Sequence, residues 1–373
     1  MGTCDSKPAP KTNVKGPKKE LTFGKDPNLN IADFMLKEAK GETLVRTELK
    51  GQQFLIEDSA DCNVYLLDKL AALTVDSIKN CVVVTGPIEG SAFLRDAENC
   101  TFIVAAGQIR TRDCKNCKIF LFSGTEPVIE ASKGLEIGCY GLQYFELENH
   151  FDKAGMSVWN NKWSEVFDFT PAEGCSSKNS TNYKAMDMAT SNHEEYMKAL
   201  VEKQPGIVER VGLGNGGVVP VTHGRGKARS EDADGACILL VASPSSDFGR
   251  ITTKVLEWEK EEGKGEGKAV LVRTRKVALT KEQANTLFGG VGDASLKIKL
   301  VKDCGGGGGG KKGDGGMVGE ILAMEFNLLG GGGEGEKGAV KKILEEEDLT
   351  WIGEGDMAVE QSKNLFSIWK ENQ

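Results

Sequence analysis

The chain of 373 residues lacks any hydrophobic run near the ~18 residues that would cross a bilayer as a helix. Its longest clean apolar stretch, 236–242, has only the length of a buried strand. Nothing near the N-terminus has the apolar core of a secretory signal. An intracellular protein without a spanning segment is the expectation. Positive charge is not in excess either. Lys and Arg number 47 against 55 Asp and Glu, a formal charge of -8, which excludes a broadly basic nucleic-acid binder. Histidine is scarce: His150, His193 and His223 are all there are. Ten cysteines are present, but metal-binding spacing is missing. The pair Cys114-Lys115-Asn116-Cys117 has no second such pair and no histidine beside it, so no metal is expected. In a reducing compartment disulfides are not expected.

What the N-terminus does have is a lipidation pattern. Met1-Gly2-Thr3-Cys4-Asp5-Ser6 places glycine second and serine sixth, as N-myristoylation requires. One myristoyl chain binds membrane only marginally, so a second signal is needed. Cys4 is placed for palmitoylation, and Lys7, Lys11, Lys15, Lys18 and Lys19 suit anionic lipid. Residues 1–35 therefore read as a basic disordered tail anchored by Gly2 and Cys4 at the cytoplasmic face of the plasma membrane. An ordinary disordered tail is the alternative.

The strongest fold signal is an internal repeat over residues 51–140. Cys62, Cys81, Cys100 and Cys117 recur at intervals of 19, 19 and 17 residues. Each follows Asp or Asn and precedes an alternating apolar stretch, such as Asn63-Val64-Tyr65-Leu66. Leu135 keeps the spacing without the thiol. This period suits one coil of a parallel β-helix, a right-handed solenoid with the cysteines stacked as small inward hydrophobes. An antiparallel sandwich is disfavoured because the repeat has no Asn-Gly or Asp-Gly hairpin turn. Aromatics at 144, 145, 151, 159, 163, 167 and 169 read mostly as a terminal cap. The β-helix domain spans 36–175.

Residues 176–233 read as a linker with one short helix around 194–202. Residues 234–373 read as a smaller α+β domain of ferredoxin-like type. Its strands are expected at 236–242, 269–274 and 319–326, and its helices at 248–260, 280–288 and 339–346. The glycine runs at 305–310 and 330–333 read as loop inserts. Lys311-Lys312 after the first is not a P-loop, because no Ser or Thr follows to hold Mg²⁺.

Gln108-Ile109-Arg110-Thr111-Arg112-Asp113-Cys114 matches the central motif of the tubulin-binding cofactor C domain family. The stretch from Val158-Trp159-Asn160-Asn161 to Asp168-Phe169-Thr170-Pro171 matches its closing motif. The chain most resembles that family's retinitis pigmentosa protein 2 type, which also begins Met-Gly and also carries a nucleoside-diphosphate-kinase-like domain at its C-terminus. The resemblance implies a GTPase-activating protein for an Arf-like small GTPase, working in transport of lipidated cargo to the cilium. It implies Arg110 as an arginine finger supplied in trans. A finger stabilises charge on the transferring phosphoryl group and adds about 10³–10⁵ in rate. Alternation along a strand puts Gln108 and Arg112 on the same face as Arg110. Gln108 would order the finger or the partner's phosphate-side loop. Arg112 would pair with a carboxylate such as Glu130 one coil later. Phe169 resembles a partner-contact residue, with cap packing as the alternative. A phosphohistidine kinase needs a nucleophilic histidine, and none lies within 234–373. The chain is therefore expected to be an activator and not itself an enzyme, with no cofactor. A non-catalytic membrane-tethered effector scaffold is the competing reading, and tubulin is an unlikely partner.

Overall fold

The computed structural model describes residues 30–186, 188, 196, 202, 218–224, 237–242, 268–280, 283, 317–329 and 349–354. Gly2, Cys4 and the tail's lysines lie outside the described residues, whereas the end of the expected tail is structured: Ile31–Phe34 form a 3-10 turn with Phe34 buried. So do the glycine runs and, isolated positions apart, the helices expected at 194–202, 248–260, 280–288 and 339–346.

Each coil turns at a corner whose chemistry explains the repeat. Asp61, Asn80, Asn99 and Asn116 have φ of 57°, 52°, 52° and 51°. Asp58, Ser77, Asp96 and Asp113, three residues earlier, are also left-handed. Asn and Asp tolerate this region better than other side chains because their short polar groups bond locally. The thiol that follows is buried to 1% exposure or less in all four coils. It also bonds. Cys81 Sγ accepts the Cys62 amide and Cys100 Sγ accepts the Cys81 amide, both at 3.4 Å. Each thiol donates to the carbonyl two residues before it, at 3.2 or 3.3 Å, as Cys100 does to Glu98. The column therefore supplies acceptors to the Cys62 and Cys81 amides, while the carbonyls the thiols donate to also accept backbone amides, as Glu98 does from Asn80 at 3.0 Å. Burial pushes the neighbouring Cys114 thiol up to about 12, which keeps it protonated.

Between corners run the strands β1 (Met35–Lys37), β2 (Thr43–Arg46), β3 (Phe54–Ala60), β4 (Asn63–Leu66), β5 (Leu73–Lys79), β6 (Val82–Glu98), β7 (Thr101–Arg112), β8 (Lys118–Ser123), β9 (Val128–Glu130), β10 (Leu135–Cys139), β11 (Phe167–Asp168) and β12 (Tyr183–Ala185). All pair in parallel. One stack runs β1, β3, β5, the later half of β6, the later half of β7, β9 and β11. The other runs β2, β4, the early halves of β6 and β7, then β8, β10 and β12. Ladder partners Phe54, Leu73, Ala92 and Ile109 succeed one another at 19, 19 and 17 residues, the spacing of the cysteines. The N-terminal part is thus a parallel β-solenoid.

Helix α1 (Leu147–Lys153) packs across several coils, reaching Asp68 and Phe122, with its Leu147 and Phe151 buried. Phe122 meets Phe151 edge-on at 5.1 Å, and Trp163 donates to Thr222 at 2.9 Å. Two departures from the sequence reading appear here. Phe145, Phe167 and Phe169 are 82%, 42% and 62% exposed, so these three are not cap packing. The stretch read as a linker also contributes structure: β12 adds a rung, and Val219 and Thr222 are buried against the cap.

A second sheet contains β13 (Cys237–Ala242), β14 (Lys268–Thr280), β15 (Met317–Leu329) and β16 (Leu349–Glu354), all antiparallel, in the order β14-β15-β13-β16. The first three include the expected strands, with β14 and β15 longer than read. The fourth was not anticipated. His223 and Gly224 amides donate to Leu271 and Val272 on β14, each at 2.9 Å, joining this sheet to the solenoid cap.

Candidate functional site

Alternation along β7 buries Ile109 and Thr111 and turns Gln108, Arg110 and Arg112 outward. The strand is held tightly where this run begins. A Cβ on Gly107 would lie 2.5 Å from the Glu89 carbonyl oxygen one coil below, so only glycine fits. Gln108 Oε1 accepts the Ser91 hydroxyl at 3.3 Å across the ladder. Arg110 and Arg112 are exposed. Arg112 Nε pairs with Asp113 at 3.5 Å. Glu130, its expected partner, does stand opposite it in the ladder, but the ion pair formed is the local one. Arg95, one coil below, pairs with Asp76 at 2.8 Å. Among the described residues the Arg110 guanidinium makes no hydrogen bond or ion pair.

The ladder sets Arg110 in an apolar row. Its partners are Phe93 on one side and Val128 on the other, and Val128 in turn pairs with Phe167. Phe93 is 38% exposed. Phe167 and Phe169 meet edge-on at 4.9 Å. Five large hydrophobic side chains are exposed among the described residues: Phe93 adjoins Arg110 in the ladder, and Phe167 and Phe169 lie beyond Val128 on the same side. Such clustering marks a contact surface in a way that scattered exposed residues do not.

Asp168 holds the aromatic pair in place. It is buried, and its carboxylate accepts the Thr170 amide at 2.8 Å, the Asn182 side chain at 2.8 Å and the Ser180 hydroxyl. Its own amide donates to Ser177 at 2.7 Å. Phe169 then donates its amide to Ile129 at 2.9 Å, which fixes it beside β9. Of the residues expected at the site, Gln108, Arg110, Arg112, Glu130 and Phe169 come together on one sheet face. Phe93 and Phe167 were missed. The signal for Phe93 was available: it is a large apolar residue at an outward position, between inward Ala92 and Leu94.

Comparisons with known proteins place this geometry. Residues 51–169 match the Tubulin binding cofactor C family. The chain is 35% identical to Protein XRP2 of Danio rerio over 282 residues, covering 74% of this chain and 70% of that protein. It is 30% identical to Protein XRP2 of Homo sapiens over 287 residues, 76% of this chain and 77% of that one. The chain belongs to the XRP2 family. Tubulin-folding cofactor C of Arabidopsis thaliana is 33% identical over 137 residues, but that match covers only 36% of this chain and 39% of the relative. Likeness to the XRP2 proteins thus reaches well past the solenoid, whereas likeness to this tubulin-folding relative is confined to a much shorter stretch.

Proposed function

We propose that this XRP2-family chain is a GTPase-activating protein for an Arf-like small GTPase, with Arg110 as the arginine finger. The single observation that carries the reading is the Arg110 guanidinium, unpaired among the described residues, on a rigid ladder with exposed Phe93 next to it and exposed Phe167 and Phe169 beyond Val128. A guanidinium never loses its charge and donates from a planar fork, which suits a transferring phosphoryl group. The solenoid spends no conformational change in presenting it, since the strand is already fixed by neighbours on both sides. Gln108, tied to Ser91, positions the finger or the partner's phosphate-side loop. The aromatic ring supplies binding energy around it, as interface anchors do.

The test is single-turnover GTP hydrolysis by a panel of Arf-like GTPases with and without the full chain. Stimulation of about 10³-fold or more is expected for one member. Arg110→Ala should abolish it while GTP-dependent binding survives. A second reading, a non-catalytic effector scaffold, draws on the aromatic patch alone. It predicts binding with unchanged hydrolysis.

Membrane attachment is part of the proposal and rests on Gly2, Cys4 and the five lysines that follow. It puts the activator at the plasma membrane, where transport of lipidated cargo to the cilium would use it. Mass spectrometry of the native protein should find acylated Gly2, and a free or acetylated N-terminus would refute the anchor. We further infer that 234–373 is a ferredoxin-like binding module. The sheet order, with β13 between β15 and β16 and β14 at the edge, supports this. With no histidine in that stretch, a phosphohistidine kinase lacks its nucleophile.

A further inference from the structure

The ladder carries the Arg110 row past Phe93 toward the first coils. Register pairs Phe93 with Thr74, Thr74 with Leu55, and Leu55 with Met35. Alternation turns these side chains outward, since Leu36, Ile56, Val75 and Leu94, the next residue of each strand, are buried. Met35 and Leu55 are half-buried yet stand outside the hydrophobic core, and Thr74 is half-buried too. An outward strand position that meets only water is ordinarily polar. The adjacent row, two residues further along each strand, obeys that rule. It reads Lys37, Glu57, Asp76, Arg95, Arg112 and Glu130. Much of it neutralises itself, through Lys37 with Glu57 at 2.9 Å and Arg95 with Asp76 at 2.8 Å. A row without charge, Arg110 excepted, thus lies beside a row of paired charges. Its length also matters. Neighbouring strands lie ~4.8 Å apart, so the six steps from Met35 to Phe167 span about 29 Å. A standard interface of ~800 Å² per partner is about 28 Å across. The stretch from Phe93 to Phe167 supplies about half of that.

We propose that Thr74, Leu55 and Met35 extend the partner-binding face along the solenoid, and that the occupant is the GTP-bound GTPase itself. The identity of that occupant rests on the reading given under Proposed function. The row states what the occupant must be. Thr74 lies two ladder steps from Arg110 and Met35 four, so the GTPase presents uncharged, apolar side chains about 10–20 Å from its terminal phosphate. A charged side chain there would lose water against apolar neighbours, while the adjacent carboxylates of Glu57 and Asp76 are already taken. The row therefore discriminates among GTPases as well as binding one. At such distances its side chains do not touch the transferring phosphoryl group, so they set affinity and not rate. A lipid surface fits less well. Residues 31–60 carry six carboxylates against four Lys and Arg, no excess of positive charge to hold anionic headgroups.

The experiment uses the full chain with Leu55→Lys, Thr74→Lys, Leu55→Met and Glu57→Gln. Direct binding to a panel of GTP-loaded Arf-like GTPases is measured beside stimulated hydrolysis and melting temperature. Each lysine variant should weaken binding by about 10-fold or more. The half-saturating concentration of activator should rise by the same factor, with the saturating rate and the melting temperature near the parent's. Leu55→Met and Glu57→Gln should stay within about 2-fold of the parent, since one keeps the apolar contact and the other breaks only a surface pair. Parent-like binding by the lysine variants overturns the proposal. So does a lowered saturating rate at unchanged affinity, or weaker binding matched by a lowered melting temperature in both. If Leu55→Lys does not fold, Thr74→Lys decides. Self-association of the parent, or its pelleting with anionic vesicles, that Leu55→Lys abolishes while GTPase binding is kept would assign the row to a second copy or to lipid and overturn the proposal. If the parent binds a GTP-loaded GTPase without stimulating it, the activator reading falls, and binding by the lysine variants alone decides on the row. If the parent binds none of the panel, both fall.

Discussion

Among the described residues, Arg110 is set apart from Arg95 and Arg112 by its lack of a partner. Those two are neutralised by Asp76 and Asp113. Arg110 has Phe93 and Val128 as ladder neighbours, neither of which offers an acceptor. An exposed, unneutralised arginine on fixed backbone is ready to donate to an anion brought by another molecule. Charge alone does not meet that need. Arg110→Lys keeps the charge but loses the bidentate fork. It should therefore lose most of the stimulated hydrolysis, at least about 10²-fold, while GTP-dependent binding and melting temperature stay near the parent's. Full activity in Arg110→Lys would mean that only a point charge is required. The motif around this residue was legible in the sequence because alternation alone turns 108, 110 and 112 to one side. The role of Phe167 and Phe169 was not. Once the repeat ends, no periodicity says which way an aromatic faces, and so the cap reading and the contact reading were equally available for Phe169.

At the scale of elements, the corner and the cap joint carry separate expectations. If the cysteines were only small hydrophobes, Cys100→Ala would be milder than Cys100→Ser. The geometry argues the reverse. The Cys100 sulfur accepts the Cys81 amide and its thiol donates to Glu98. Alanine leaves the buried Cys81 amide without its acceptor at about 1–3 kcal/mol, while the Glu98 carbonyl keeps the Asn80 amide at 3.0 Å; serine can serve both groups. Chemical denaturation should rank Cys100→Ser above Cys100→Ala in stability. The cap joint is a chain of hydrogen bonds. Tyr144 meets His150 Nδ1 at 2.9 Å, and His150 Nε2 meets Asp68 at 3.3 Å. Asp68 in turn accepts the Leu49 amide at 2.6 Å. Burial pushes the Tyr144 phenol up, so it stays a neutral donor, and pulls His150 below its ordinary 6.5 despite Asp68. The unfolded chain then takes up a proton, below about pH 6.5, that the folded chain resists. Stability is therefore full above that pH and falls as pH drops. The melting temperature should fall more between about pH 7.5 and 5.5 in the parent than in His150→Gln. Equal falls would remove His150 from the account. The coils themselves were legible because each carries its own corner. The closing rung was not: β10 pairs Leu135 with Tyr183, across a stretch with no repeat to announce it.

Across the whole molecule, the solenoid gives rigidity, the closing segment carries the exposed Phe167 and Phe169, and β14 contacts that segment through Thr274, Arg275 and Lys276. The strand order of that sheet could not be read from the sequence, because β16 is short and partly polar (Leu349–Glu354) and gives a weak strand signal. The three parts meet at one functional consequence, a face centred on Arg110. On the proposed reading, this face acts on a bound nucleotide by donating a guanidinium. It is tested most directly by single-turnover GTP hydrolysis with a panel of Arf-like GTPases, comparing the full chain with Arg110→Ala. The expected result is a large acceleration for one GTPase that vanishes in the variant while binding to its GTP form persists. An acceleration that survives Arg110→Ala, or tight binding to the GTP form with no acceleration by the parent chain, would contradict it.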